Sequence, residues 1–152
     1  FRLALIHPCV GRWAGDVKYI RSWQMEPLAP ASIAGLTPSD VEVRFYDDRV
    51  EPIPFDEPTD LVALSVETYT ARRDYQIASE YRRRGVPVVM GGFHATLCPE
   101  EVAEWADAVV LGEAEKIWRS RGTSVGTRTS TVPPASTPKR SAFPLLLPSQ
   151  DS

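Results

Sequence analysis

Cysteine, histidine and methionine are scarce, with two of each in 152 residues. Cys9 and Cys98 are too few for a disulfide framework. They are also too few to hold an iron–sulfur cluster on this chain's own thiolates, so no such cluster is expected here. The longest uninterrupted apolar runs are a few residues, against the roughly 20 needed to cross a bilayer, so no membrane partner is expected. No basic stretch followed by an apolar core marks a secretory signal, and a reducing, cytoplasmic setting is the expectation. The phosphate-cradling fingerprints GxxxxGKS/T and GxGxxG are missing, and no internal repeat is visible. Positive charge is not in excess either. Seventeen Lys and Arg face 20 Asp and Glu, for a net charge of −3, which argues against nucleic acid as the main partner.

What is present divides in two. At about 100–200 residues per domain the length allows one domain, long enough to bury a core. Residues 1–118 carry 12 Lys/Arg and 19 Asp/Glu, whereas residues 119–152 carry five Lys/Arg and one Asp. In that last stretch 17 of 34 residues are Ser, Thr or Pro. The expectation is an acidic globular domain over 1–118 and a disordered Ser/Thr/Pro/Arg-rich tail over 119–152.

Within the domain, strands and helices alternate. Leu3-Ala4-Leu5-Ile6 reads as a strand buried on both faces, stopped at His7-Pro8. A loop with Trp13, Tyr19, Trp23 and Met25 leads to Pro27, suited to the first turn of a helix over 28–36, where Ala31, Ile33 and Ala34 are available for packing. Val41 to Tyr46 alternates apolar and polar residues, the pattern of a half-exposed edge strand ended by a solvated Asp47-Asp48. The proline-rich stretch 51–58 should be irregular. Leu61 to Val66 is again a buried-type strand, and Thr70 is placed to N-cap a helix over 71–84 that buries Ile77, Ala78 and Tyr81. Gly85 suits its C-terminus, and Arg82-Arg83-Arg84 suit the negative end of its dipole. Val88-Val89-Met90 is a third buried-type strand, ending in Gly91-Gly92. Pro99 opens a short helix to about Trp105, and Ala108 to Leu111 forms the last strand before one helical turn at 114–118. This β-α-β-β-α-β-α-β-α pattern implies a Rossmann-like, flavodoxin-type, doubly wound parallel sheet of five strands, in the order 2-1-3-4-5. Because the final helix stops after one turn, one apolar sheet face should be partly uncovered and the domain weakly stable alone.

In open parallel sheets ligands sit beyond the carboxyl ends of the strands. The informative residues are then His7 to Cys9, Ser65 to Thr70, Gly91 to Thr96 and Gly112 to Glu115. They are small or hydroxyl-bearing, which suits a large neutral-to-anionic ligand with amide and phosphate groups better than a nucleoside triphosphate. Gly91-Gly92-Phe93-His94-Ala95-Thr96, then Pro99-Glu100-Glu101, and then Ala106 to Glu115 with Gly112-Glu113-Ala114-Glu115, resemble the N-terminal cobalamin-binding domain of B12-dependent radical SAM proteins. Ser22 to Pro30 and Ser65-Val66-Glu67-Thr68-Tyr69-Thr70 resemble the same family, and together the likeness covers about residues 2–118.

The resemblance implies a cobalamin over the strand ends with its nucleotide tail in a pocket beside the sheet. The implied cofactor-binding residues are Ser65, Glu67, Thr68, Gly91, Gly92, His94, Thr96, Gly112 and Glu113. Better-known cobalamin domains carry DxHxxG after the first strand. Here His7-Pro8-Cys9-Val10-Gly11 stands there, so a protein histidine on cobalt is not implied, and cobalt is held only through its cofactor. No catalytic residue is assigned. The family's chemistry belongs to a radical SAM domain with a CxxxCxxC motif that these 152 residues lack. The expectation is a cofactor module detached from that partner, which acts in trans or is missing. The abrupt change at Trp118/Arg119 favours a truncated or frame-shifted product. A receiver-like signalling domain is the alternative on the same topology, but it needs an acidic pair near the first strand and a lysine after the last. A degenerate product that binds nothing is a third reading. Trp13, Tyr19, Trp23 and Met25 could lid the corrin. His7, Cys9, His94 and Cys98 are potential zinc ligands, but their spacings, H-x-C and H-x3-C on different strand ends, match no finger pattern. Cys98 is expected to be a buried small residue.

Overall fold

Strand alternation decides which face of the sheet each residue serves. A computed structural model describes residues 1–10 and 26–118. The strands are β1 (Arg2–His7), β2 (Glu42–Asp47), β3 (Leu61–Ser65), β4 (Val88–Gly91) and β5 (Ala108–Val109), and the helices are α1 (Leu28–Leu36), α2 (Ala71–Arg83), α3 (Phe93–Leu97), α4 (Pro99–Ala103) and α5 (Glu115–Trp118). All pairings are parallel and the order is β2-β1-β3-β4-β5, as the pattern implied. The order reverses between β1 and β3, so the switch-point crevice opens where His7 and Ser65 end their strands. The lid residues Trp13, Tyr19, Trp23 and Met25, and the tail from 119 onward, lie outside the described residues.

One face of the sheet carries Ala4, Ile6, Val62, Leu64, Val88 and Met90, and these pack with Ile77, Ala78 and Tyr81 of α2 and Val102 of α4 into a single core. The other face carries Leu3, Leu5, Ala63 and Val89. Here β3 and β4 depart from the expectation of strands buried on both sides, since their residues alternate between buried and half-buried. The half-buried set faces α1 and the one-turn α5.

Several local expectations are corrected. The turn after β4 is not a plain loop but the five-residue helix α3, followed directly by α4, which ends at Ala103 rather than near Trp105. β5 is two residues long, not four. In α1, Ala31 is exposed and Pro30 is the buried residue. Thr70 stands at the N-cap of α2 but makes no capping bond. Its hydroxyl instead accepts from the Glu67 N–H and donates to the Glu67 carbonyl, both at 3.1 Å, tightening the turn before the helix. Asp48, expected to be solvated, is fully buried. It accepts two bonds from the Arg73 guanidinium, at 2.7 and 2.9 Å, and one from the Cys9 N–H at 3.1 Å. The Arg fork matches a carboxylate in two parallel bonds, which is why this charge can be buried. Cys98 is half-buried rather than buried, while Cys9 is buried.

Candidate functional site

Gly91 and Gly92 set the shape of the site. Gly92 has φ +97°, and a Cβ there would stand 3.0 Å from Ser65 Oγ and from the backbone of Val66. Glycine is therefore required twice over, by dihedral and by close approach. The tight turn lets the His94 N–H reach the Val66 carbonyl at 3.0 Å, while Val66 N–H donates to Gly91 at 2.8 Å. The start of α3 is thus pinned to the end of β3. Thr96 Oγ1 donates to the Gly92 carbonyl at 3.0 Å and accepts from the Gly112 N–H at 2.9 Å, joining the turns after β4 and β5.

Behind these turns, on the half-buried face, lies a cavity of about 170 Å³. Leu5, Ala63 and Val89 form its floor, Ala29, Pro30 and Ile33 of α1 one wall, and Val110, Ala114 and Trp118 the other. Trp118 Nε1 donates to Thr37 Oγ1 at 2.8 Å, which ties α5 to the end of α1 across the cavity. The lining is apolar apart from the Ser65 hydroxyl and the rim carboxylates Glu113 and Glu115. Such a space suits a flat, uncharged ring system better than a phosphate. Its volume is below the roughly 300–1,000 Å³ of pockets that enclose a whole drug-sized ligand, so it suits one end of a large molecule.

The nine residues implied from the sequence separate into three groups. Ser65, Gly91, Gly92, Gly112 and Glu113 line the cavity. Thr96 does not line it but fastens two of its turns together. Glu67, Thr68 and His94 face elsewhere. Glu67 borders a small crevice of about 30 Å³ at the switch point with His7, Pro8, Arg49 and Tyr69. Burial there raises the Glu67 carboxyl above its ordinary range, with His94 opposing, and burial followed by the Arg49 charge lowers the His7 imidazole. His94 is nine-tenths buried in α3, and its Nδ1 pairs with Thr68 Oγ1 at 3.2 Å. Sequence reasoning missed the α1 wall and Trp118. The Ala29-Pro30 pair and the Trp at the end of the last periodic segment were the signals available for them.

Residues 24–120 match the family model described as B12 binding domain. Bacteriochlorophyllide d C-8(2)-methyltransferase of Chlorobaculum tepidum is 38% identical over 92 residues, which is 60% of this chain and 20% of that protein. Bacteriochlorophyllide d C-12(1)-methyltransferase of the same organism is 32% identical over 94 residues, 60% of this chain and 21% of that protein. The chain therefore spans about a fifth of the length of these curated relatives. No solved structure matches. The family match covers more than half of the sequence and includes every strand-end turn described above except the one after β1, and on that basis the chain belongs to the B12 binding domain family.

Proposed function

We propose that residues 1–118 form a cobalamin-holding module whose cavity between α1, α5 and the sheet takes the nucleotide tail. The observation that carries this reading is the cavity itself: apolar, set beside strand ends made of glycine and serine, and too small for more than one end of a large cofactor. The residues fit the group. Gly91 leaves room where any side chain would point at Val110, whose Cβ stands 3.4 Å from the position a Cβ would take. Ser65 offers the one hydroxyl in the cavity wall, able to bond a ring nitrogen. The apolar floor excludes water from the tail, and the Thr96 bridge holds the two glycine turns in register. Among the described residues, His7 is the histidine nearest the start of the crevice, and it belongs to no DxHxxG motif. In this reading cobalt would be held through the cofactor, and no protein imidazole is assigned to it.

When bound, cobalamin supplies a cobalt centre that can accept and pass on a methyl group. The relatives named above are methyltransferases, and we extend methyl transfer to the protein of which this module is part. The radical SAM machinery and the acceptor site then belong to a separate domain, since two cysteines cannot form CxxxCxxC. We place the module in the cytoplasm. Among the described residues no helix is long and apolar enough to cross a membrane.

The test is retention of a corrin. The chain is incubated with hydroxocobalamin and passed through gel filtration, and corrin absorbance is expected to elute with folded protein. Gly91→Val fills the cavity at a residue of ordinary backbone dihedrals and should weaken retention about tenfold or more, equivalent to about 1.4 kcal/mol. A colourless, folded wild-type peak would overturn the reading.

A further inference from the structure

His94, Cys98 and Glu101 follow one another at four and three residues, spanning the junction of α3 and α4. Their side-chain ligand atoms all lie within 4.8 Å of one another. This cluster stands outside the cavity, which none of the three lines. We propose that it is a binding site for a borderline transition-metal dication of the zinc class, with His94 Nε2, the Cys98 thiolate and a Glu101 oxygen as ligands and water completing a tetrahedron.

Two features beyond the clustering point to a ligand. First, His94 Nε2 is buried without a hydrogen-bond partner, although a buried ring nitrogen normally has one. It faces Glu101 Oε1 at 3.5 Å, outside good hydrogen-bond geometry. Second, the partners around the cluster have the arrangement that metal ligands use. Thr68 Oγ1 engages His94 Nδ1 at 3.2 Å, and if it accepts the Nδ1 proton it leaves the Nε2 lone pair directed at the cluster. Tyr75 donates its hydroxyl to Glu101 Oε1 at 2.8 Å, orienting that carboxylate. Tyr75 is itself held by stacking on Trp105, with ring centroids 5.2 Å apart.

The donor set selects the ion. Nitrogen, sulfur and oxygen together suit zinc, whereas magnesium and calcium take oxygen alone. Bond lengths of about 2.0–2.3 Å place ligand atoms of a tetrahedral site roughly 3.5 Å apart. The Glu101 side chain is about half exposed and Cys98 half-buried, which leaves both side chains free of close packing on one side. Binding displaces the thiol proton to solvent. Three protein ligands leave one position open, as zinc sites that act on a ligand do.

The full chain, reduced, metal-free and without cobalamin, is titrated with zinc chloride against a chromophoric chelator and, separately, with cobalt(II) chloride. One zinc per chain is expected, and cobalt(II) should give the intense near-ultraviolet band of a thiolate ligand. Cys98→Ala should abolish that band, while Cys9→Ala should keep it. His94→Gln and Glu101→Gln should each lower zinc affinity tenfold or more, and Tyr75→Phe by about tenfold, as loss of an outer-shell partner does. Glu101 is exposed, so Glu101→Gln tests the site even if the substitution at His94 unfolds the chain. Folded wild type that takes up no stoichiometric zinc overturns the proposal. So does uptake that survives both Cys98→Ala and Glu101→Gln.

Discussion

Arg73 sits in the middle of three segments that are remote in sequence. Through Asp48 it joins the end of β2 to α2, and the same carboxylate takes the N–H of Cys9 in the segment after β1. The pair is buried on both sides, with Asp48 fully and Arg73 nine-tenths covered. Removing the cation takes both charge-assisted bonds of the guanidinium from a buried carboxylate, a defect that costs about 3–5 kcal/mol in comparable pairs. Arg73→Ala is therefore expected to lower the free energy of urea unfolding by about that amount. Arg73→Lys should recover little of it, because an ammonium cannot make the two parallel bonds of the guanidinium. A loss under about 1 kcal/mol for Arg73→Ala would mean that the segment after β1 is held by other contacts. Nothing in the local sequence marks this pair. Asp48 follows a strand that alternates, where an acidic residue is ordinarily solvated. Arg73 sits in a helix whose apolar stripe runs through Ile77, Ala78 and Tyr81. Only the parallel register of β1 with β2 brings His7 level with Asp47 and so sets Asp48 beside the first strand's exit.

Elements long enough to show a period were legible, as were the short helix opened by Pro99 and the turn of helix at 114–118; the short helix between Gly91-Gly92 and Pro99 was not. Strand identity, the edge position of β2 and the order 2-1-3-4-5 followed from apolar runs, one alternating run and right-handed crossovers. The helix over 28–36 agrees with α1, and 71–84 differs from α2 by one residue. α3 was hidden because Gly91-Gly92 and Pro99 bracket too few residues to display a stripe. The same shortness explains the site. Gly91, Gly92, Gly112, Ser65 and Glu113 could be assigned to it because strand ends are where ligands bind. His94, in contrast, is turned away from the cavity by one turn of helix that no periodicity announced. α5 is the most consequential short element, since it holds one wall of the cavity. The Trp118 indole N–H donates to Thr37 Oγ1, which itself donates to the Ile33 carbonyl at 2.7 Å. Thr37→Val keeps the shape of the side chain but removes both bonds. It is expected to cost about 1 kcal/mol of stability, the net worth of such hydrogen bonds. If the cavity holds the cofactor tail, the same variant should release bound corrin faster, read as a rise in koff with little change in kon. An unchanged corrin off-rate would show that α5 does not close the cavity.

For the molecule as a whole, the dependence of stability on pH reflects carboxylates that are perturbed in opposite directions. Most perturbed surface carboxylates are held low by arginines. Glu80 falls to about 2, chiefly through the hydrogen bond from Arg83, and Glu57 and Glu42 are lowered by Tyr46 and Arg44 respectively. These favour the folded state near neutrality and lose that contribution as pH falls. Asp74 works against them. It lies on the buried face of α2, and burial raises its pKa well above 3.8, with Thr70 opposing. Above 3.8 the unfolded chain releases this proton while the folded chain keeps it. The folded state then binds more protons than the unfolded one, so stability falls as pH rises, by up to about 1.4 kcal/mol per pH unit until the raised value is passed. Asp74→Asn holds a neutral side chain of the same shape at every pH and removes this slope. Unfolding free energies of wild type and variant should therefore differ least near pH 3.8, with the variant gaining on wild type as pH rises until the raised value is passed. The surface carboxylates are common to both chains and cancel in the difference. A difference that stays flat from pH 4 to 7 would mean that Asp74 ionises in the folded protein as freely as in water, with a counter-charge or water reaching it through the switch-point crevice.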